Sequence, residues 1–115
     1  MKYLYLLYAD ESKAPAPGTP EFDRQNEAYD HYFQEVSGRG LIKSGDPVQP
    51  SATATTVRVR NGSTEAARGP FGNGAEQLVG FYVMDCKDED EAVAYAAKVP
   101  AASVGAVEVR PIFSM

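Results

Sequence analysis

The segment Arg68-Gly69-Pro70-Phe71-Gly72-Asn73-Gly74-Ala75-Glu76-Gln77-Leu78-Val79-Gly80-Phe81-Tyr82-Val83-Met84-Asp85 constrains the fold more than any other part of the chain. It joins a tight Gly/Pro loop to a run whose two-residue period sends Phe81 and Val83 to one face and Tyr82 and Met84 to the other. A strand that is apolar on both faces needs a cover on each. The chain has 115 residues, enough for one domain and one core but too few to build both covers with ease. The expectation is a single domain over residues 1–115 in which a partner subunit supplies the second cover.

The opening Lys2 to Tyr8 predicts a buried first strand, with Tyr3, Tyr5 and Leu7 on one face and Leu4, Leu6 and Tyr8 on the other. Ala14-Pro15-Ala16-Pro17-Gly18 is a loop, and Thr19-Pro20-Glu21 supplies an N-cap followed by proline at the first helical position. Phe22, Tyr29, Phe33 and Val36, extended by Tyr32, form the stripe that should pack on a sheet. Gly38-Arg39-Gly40 stops that helix, Leu41 to Gly45 is a short strand, and Asp46 to Pro50 turns the chain.

Thr53 to Arg60 alternates, Asn61-Gly62 signals a hairpin, and Ser63 to Arg68 returns. After the strand Glu76 to Asp85, Asp88 with Glu91 reads as a capping box for a helix toward Lys98, ended by Val99-Pro100, with Val93, Ala96 and Ala97 inward. Gly105 to Pro111 is a last strand, with Val107 and Val109 opposed to Glu108 and Arg110. The order is β-α-β, a hairpin insertion, then β-α-β. That predicts an α+β fold: a ferredoxin-like antiparallel sheet with two helices on one face. The opposite face would expose several aromatic and aliphatic residues in one patch, more than soluble monomers usually carry. A two-fold homodimer with facing sheets and a mixed cavity between them follows as the expectation.

A net charge of −5 argues against a general nucleic-acid binder, whose phosphate contacts need clustered cations. Cys86 is the single cysteine, which excludes an internal disulfide and any CxxC motif and suits a reducing compartment. The apolar opening meets Ala9-Asp10-Glu11 too soon for a signal peptide or a membrane span, so a cytoplasmic protein is expected. No metal-ligand cluster, phosphate loop or nucleophile with its base is recognisable, and neither cofactor nor metal is expected.

His31 is the single histidine and the obvious acid or base, yet it lies about 200° around the helical wheel from Tyr29, on the solvent side with Arg24, Glu27 and Glu35. Arg68, with Arg58, Arg60 and Arg110, places guanidinium groups where a carboxylate or phosphate would fit, or else forms strand-edge ion pairs with Glu65 and Glu108. Tyr3, Tyr5, Tyr8 and Tyr82 offer polar tips to a pocket, or serve as core. Gly69-Pro70-Phe71 and Gly72-Asn73-Gly74 are turn chemistry first; their N–H groups also suit an anion. Asp10 and Glu11 are a carboxylate pair or a plain polar loop. The candidate ligand-binding set is therefore Arg68, Gly69, Pro70, Phe71, Tyr5, Tyr82 and Arg58, around a small anionic molecule.

Several segments taken together resemble the YCII-related superfamily, and within it the DGPF branch of small bacterial proteins. They are Tyr3 to Glu11, Ser51 to Arg58, Gly69-Pro70-Phe71, Glu76-Gln77-Leu78, Gly80 to Val83 with Asp85, and Val99 to Pro111. The resemblance implies a dimeric α+β barrel. It departs at Arg68, where the branch has the Asp of its name, at Ala75 for a usual Lys, and at Val79 for a second Gly. A guanidinium in place of a carboxylate removes any base at that position. Through the family's His and Asp pair, the resemblance makes Asp85 and His31 catalytic candidates. It also implies an association with extracytoplasmic-function sigma factors. Three functions follow: a homodimeric binding module for a small molecule, an acid–base enzyme using the same cavity, or a regulatory partner of a sigma factor.

Overall fold

The computed structural model describes residues 1–114. Along the chain run β1 (Lys2–Asp10), α1 (Pro20–Gly38), β2 (Ile42–Pro47), β3 (Thr55–Arg60), β4 (Ser63–Arg68), β5 (Glu76–Asp85), α2 (Glu89–Ala96), α3 (Pro100–Val104) and β6 (Ala106–Pro111), with 3₁₀ turns at Glu11–Lys13 and Ser51–Thr53. Helix starts are set by local chemistry. The Thr19 hydroxyl accepts from the Phe22 N–H at 3.2 Å with Pro20 opening α1. The Asp88 carboxylate accepts from the Glu91 N–H at 2.9 Å to open α2. Glu91 reaches back one residue further than a standard capping box, to the Lys87 N–H at 2.9 Å.

Four strands form one sheet in the order β2-β5-β1-β6, with every neighbouring pair antiparallel. This is the ferredoxin-like α+β arrangement the sequence predicts. On one face lie Tyr3, Tyr5 and Leu7 of β1, with Tyr82 and Met84 of β5 and Val107 and Val109 of β6 opposite them in register. Tyr32 and Val36 of α1, Ala92 and Ala96 of α2 and Ala101 of α3 pack there to close the core. All the helices thus share one side. Among the described residues, none of these helices is long and apolar enough to cross a membrane.

Details depart from expectation. There are three helices rather than two, because Pro100 opens a new helix instead of only ending the previous one. The inward face of α2 is Ala92 and Ala96, with Val93 and Ala97 exposed. Small residues at that spacing let the helix come close enough for the Tyr5 hydroxyl to donate to the Ala92 carbonyl. Phe33 lies on the exposed flank of α1. Strand β2 continues to Pro47, and β3 begins at Thr55 after a 3₁₀ turn that takes in Thr53.

The hairpin β3–β4 is a separate two-stranded sheet. Asn61 (φ 53°) and Gly62 (φ 77°) make its turn, both in the left-handed region that a two-residue primed turn requires. Every residue of β4 is exposed, and so is all of β3 except Thr56. The arm stands away from the body. The radius of gyration is 16.0 Å, against about 13 Å for a compact chain of this length. The thinnest dimension is 19 Å, the depth of one sheet and one helical layer.

Candidate functional site

Strand alternation places Leu4, Leu6, Tyr8 and Asp10 of β1 on the face turned away from the helices. Register sets Val83, Phe81, Leu78 and Glu76 of β5 opposite them, with Val79 as the extra residue of a bulge. The edges add Arg110 and Glu108 from β6, opposite Leu4 and Leu6, and Ser44 and Asp46 from β2, opposite Val83 and Phe81. The centre, Leu4, Leu6, Tyr8, Leu78, Phe81 and Val83, is apolar and half-buried with no helix above it. Around it stand four carboxylates, Asp10, Asp46, Glu76 and Glu108, and one guanidinium, Arg110, which pairs with Glu108.

The Gly/Pro loop and the hairpin base form a second group of polar surface. Gly69 leaves β4 at φ 118°, its N–H donating to the Ala54 carbonyl at 2.8 Å while its own carbonyl accepts from the Thr56 hydroxyl at 2.8 Å. The Gln77 amide donates to the Gly72 and Gly74 carbonyls at 3.0 and 2.8 Å and so holds the loop's shape. Phe71 is 76% exposed, and the Arg58 guanidinium lies 4.9 Å above its ring, in cation–π range. Arg68 donates to the Thr53 carbonyl at 3.4 Å. Neither Arg58 nor Arg68 makes an ion pair among the described residues, even though Arg58 stands opposite Glu65. Arg58, Arg68, Gly69, Pro70 and Phe71 are therefore together at one exposed corner.

Tyr5 and Tyr82 lie elsewhere, beneath the helices. Tyr5 is fully buried, and burial raises its hydroxyl well above the ordinary phenol range. Tyr32 is likewise raised by burial and donates to the Tyr95 carbonyl at 3.0 Å. Tyr82 stacks on Tyr32 with ring centres 5.6 Å apart; burial, then the neighbouring Tyr29, push it up to about 12. These phenols are held neutral within the core.

Asp85 ends β5, and the loop precedes its start. Ten residues of strand separate the two ends, roughly 30 Å at 3.3 Å per step. The terminal ammonium of Met1 donates to the Asp85 carboxylate at 3.0 Å and to the Cys86 carbonyl at 2.9 Å. That hydrogen bond, then the ammonium charge, hold the Asp85 carboxyl below its usual range. His31 is exposed on α1, in a shallow groove with Gln34, Glu35 and Lys98. Within one chain Asp85, His31 and the arginine corner are in three separate places. Among the described residues no three His, Cys, Asp or Glu side chains gather as a metal site requires.

Sequence reasoning left the two faces of β1 interchangeable, and only the helices decide that Leu4, Leu6 and Tyr8 face outward. It also left Glu11 as loop or site. The structure uses it as an anchor, with its carboxylate accepting from the Ser51 N–H at 2.7 Å and from the Ser51 hydroxyl.

A four-stranded antiparallel sheet with helices on one side, a bare apolar side and a projecting hairpin defines an α+β protein of the ferredoxin-like class. More narrowly, the chain belongs to the YCII-related domain family, whose model matches residues 1–115. It is 34% identical over 114 residues to an uncharacterised protein of Rhizobium meliloti, an alignment spanning 97% of this chain and 92% of that one. Its fold is similar to that of 5-chloro-2-hydroxyhydroquinone dehydrochlorinase from Burkholderia phenoliruptrix, solved in complex with 2,5-dihydroxybenzoquinone. The TM-score is 0.54 and the identity 14%, over 98% of this chain and 94% of that one. At that identity the likeness is one of fold.

Proposed function

We propose that the protein is a homodimeric small-molecule-binding protein of the DGPF branch, with its pocket between two facing sheets and the Gly69–Gly74 loop at the mouth. The observation that carries this reading is the apolar centre of the sheet, Leu4, Leu6, Phe81 and Val83, which no helix of its own chain covers. Burying such a face yields about 25 cal/mol per Å² of apolar surface, and a stable dimer needs about 800 Å² from each partner. The carboxylates at the rim and the arginines at the loop make the cavity mixed, suited to a planar ligand with acidic oxygens. Arg68 supplies a cation where the branch has an acid.

The catalytic alternative, with Asp85 or His31 as base, gains no support from their surroundings: the first is engaged by an ammonium and the second is exposed on the far side of a helix. The test is sedimentation velocity followed by calorimetric titration with 2,5-dihydroxybenzoquinone, the compound bound in the fold neighbour. Dimers that Leu6→Glu dissociates, binding a hydroxyquinone or another small anion, are expected. A wild-type protein that stays monomeric at tens of micromolar, about the scale at which a weak dimer is populated, overturns the reading.

A further inference from the structure

Of the seven tyrosines, Tyr3, Tyr5 and Tyr82 face the helices, and Tyr29, Tyr32 and Tyr95 reach the same core from the helical side. Tyr8 alone lies on the open sheet face, half-buried. The hydroxyls of Tyr5 and Tyr32 are held by carbonyls of α2, whereas the Tyr8 hydroxyl has no hydrogen-bond partner among the described residues. The strand beneath that phenol is fixed, since Gly105 passes so close to the Tyr8 carbonyl that a side chain there would overlap it.

Register sets Leu78 beside Tyr8 on β5 and Ala106 beside it on β6. Ala106 is exposed and contributes only a methyl group, which leaves space along that flank of the phenol. One pair further on, where the Gly69–Gly74 loop leads into β5, Asp10 stands opposite Glu76. Like charges directly opposite each other repel. The Asp10 carboxylate is compensated locally, accepting from the Ser12 N–H at 3.0 Å and from its hydroxyl at 2.7 Å. Glu76 is exposed and makes no ion pair among the described residues. Tyr8 and Glu76 are diagonal neighbours on one face, a spacing of about 7–8 Å that one small molecule spans.

This end of the face lies beyond Leu4, Leu6, Phe81 and Val83, the centre that a facing sheet covers. Closing a second sheet over the centre also takes water from the end. A phenol or carboxylate buried there without a partner is destabilising. A single aromatic hydroxyl satisfies both, because it donates to a carboxylate and accepts from a phenol.

We infer that Tyr8 and Glu76 form the specificity-determining end of the pocket and select a small planar ring that carries a hydroxyl group. The ligand hydroxyl donates to the Glu76 carboxylate and accepts from the Tyr8 phenol, while the ring lies against Leu78 in the space beside Ala106. This rests on the two-sheet reading above and adds which oxygen of the ligand is recognised, and by which residues.

The experiment is calorimetric titration of the dimer with 4-hydroxybenzoate and with benzoate, two planar anions that differ by one hydroxyl. The wild type is expected to bind the hydroxylated ring about tenfold more tightly, the scale of one hydrogen bond to a charged group. Tyr8→Phe and Glu76→Leu should each cut that preference below about threefold, with the dimer retained in sedimentation velocity. Tyr95→Phe, which removes a phenol on the helical side, should keep the preference whole. In amide NMR spectra 4-hydroxybenzoate should shift Leu78 and Ala106.

A dimer that binds both compounds equally, or neither, overturns the hydroxyl subsite and leaves the facing sheets intact. A preference that survives Tyr8→Phe, or amide shifts confined to the helices, also overturns it. A monomeric wild type removes both readings.

Discussion

The Glu11 carboxylate accepts hydrogen bonds from both the N–H and the hydroxyl of Ser51, forty residues later, and so ties the exit of β1 to the turn from which the hairpin departs. The carboxylate thus caps the Ser51–Thr53 turn from outside it. The hairpin's strands lie in a sheet of their own, so this contact is a tie between the segment leading into the arm and the body.

Removing that carboxylate leaves a part-buried N–H without an acceptor. Hydrogen bonds to charged groups contribute about 1.5–3 kcal/mol. Glu11→Ala is therefore expected to lose stability in that range in urea titrations, and Glu11→Gln, which keeps an acceptor, about half as much. A loss within about 0.5 kcal/mol for Glu11→Ala, the level of an ordinary surface change, would show that the tie does not hold in solution.

Gly105 connects α3 to β6 beneath the backbone of β1. A Cβ there would overlap the Tyr8 carbonyl oxygen and come within 3.0 Å of the Ala9 Cα. Both neighbours are main chain and cannot swing aside. Gly105→Ala should cost about 1–3 kcal/mol or more, read as a fall in Tm, while an alanine tolerated without change would mean that β1 and the α3–β6 junction lie further apart.

Asp85 has a folded carboxyl value below its unfolded one, first because the terminal ammonium donates to it. Its contribution is therefore present above the unfolded value near 3.9 and is lost as pH falls through the lower folded value. The gap in urea midpoint between wild type and Asp85→Asn should be full at neutral pH and close below about pH 4. An unchanged gap at pH 7 and in strong acid would rule the contact out.

Tyr82 works in the opposite sense. Its folded value, about 12, exceeds the ordinary phenol value of 10.0, so the folded state keeps its proton after the unfolded chain has lost it. Stability is full below pH 10 and falls as pH rises toward 12. Tyr82→Phe should flatten that stretch of the alkaline unfolding curve, monitored by far-UV circular dichroism. Identical slopes in the two proteins would place the phenol in water.

What the sequence disclosed was local. Thr19-Pro20, Asn61-Gly62 and Asp88 with Glu91 each act within a few residues, and each begins or turns an element in the expected place. Pro100 was ambiguous, since the same residue ends one helix and opens another. The facing of β1 was not legible at all, because both of its sides are apolar and only the helices distinguish them. The candidate site suffered most. Arg68 and Asp85 stand in one short stretch of sequence, but Arg68 ends the separate hairpin while Asp85 lies at the far end of the ten-residue strand β5. The Glu11 anchor joins residues no periodicity connects.

The strand order has a consequence for how the chain is made. β1 lies at the centre of the sheet, and both of its neighbours, β5 and β6, come from the last forty residues. A ribosome therefore delivers Tyr3 to Tyr8 well before their partners, so the greasiest strand waits unpaired while the intervening elements are made. Such non-local pairing is slow and prone to aggregation. Nascent chains stalled after the hairpin should expose that strand to a chaperone, whereas its release has to await the emergence of β6.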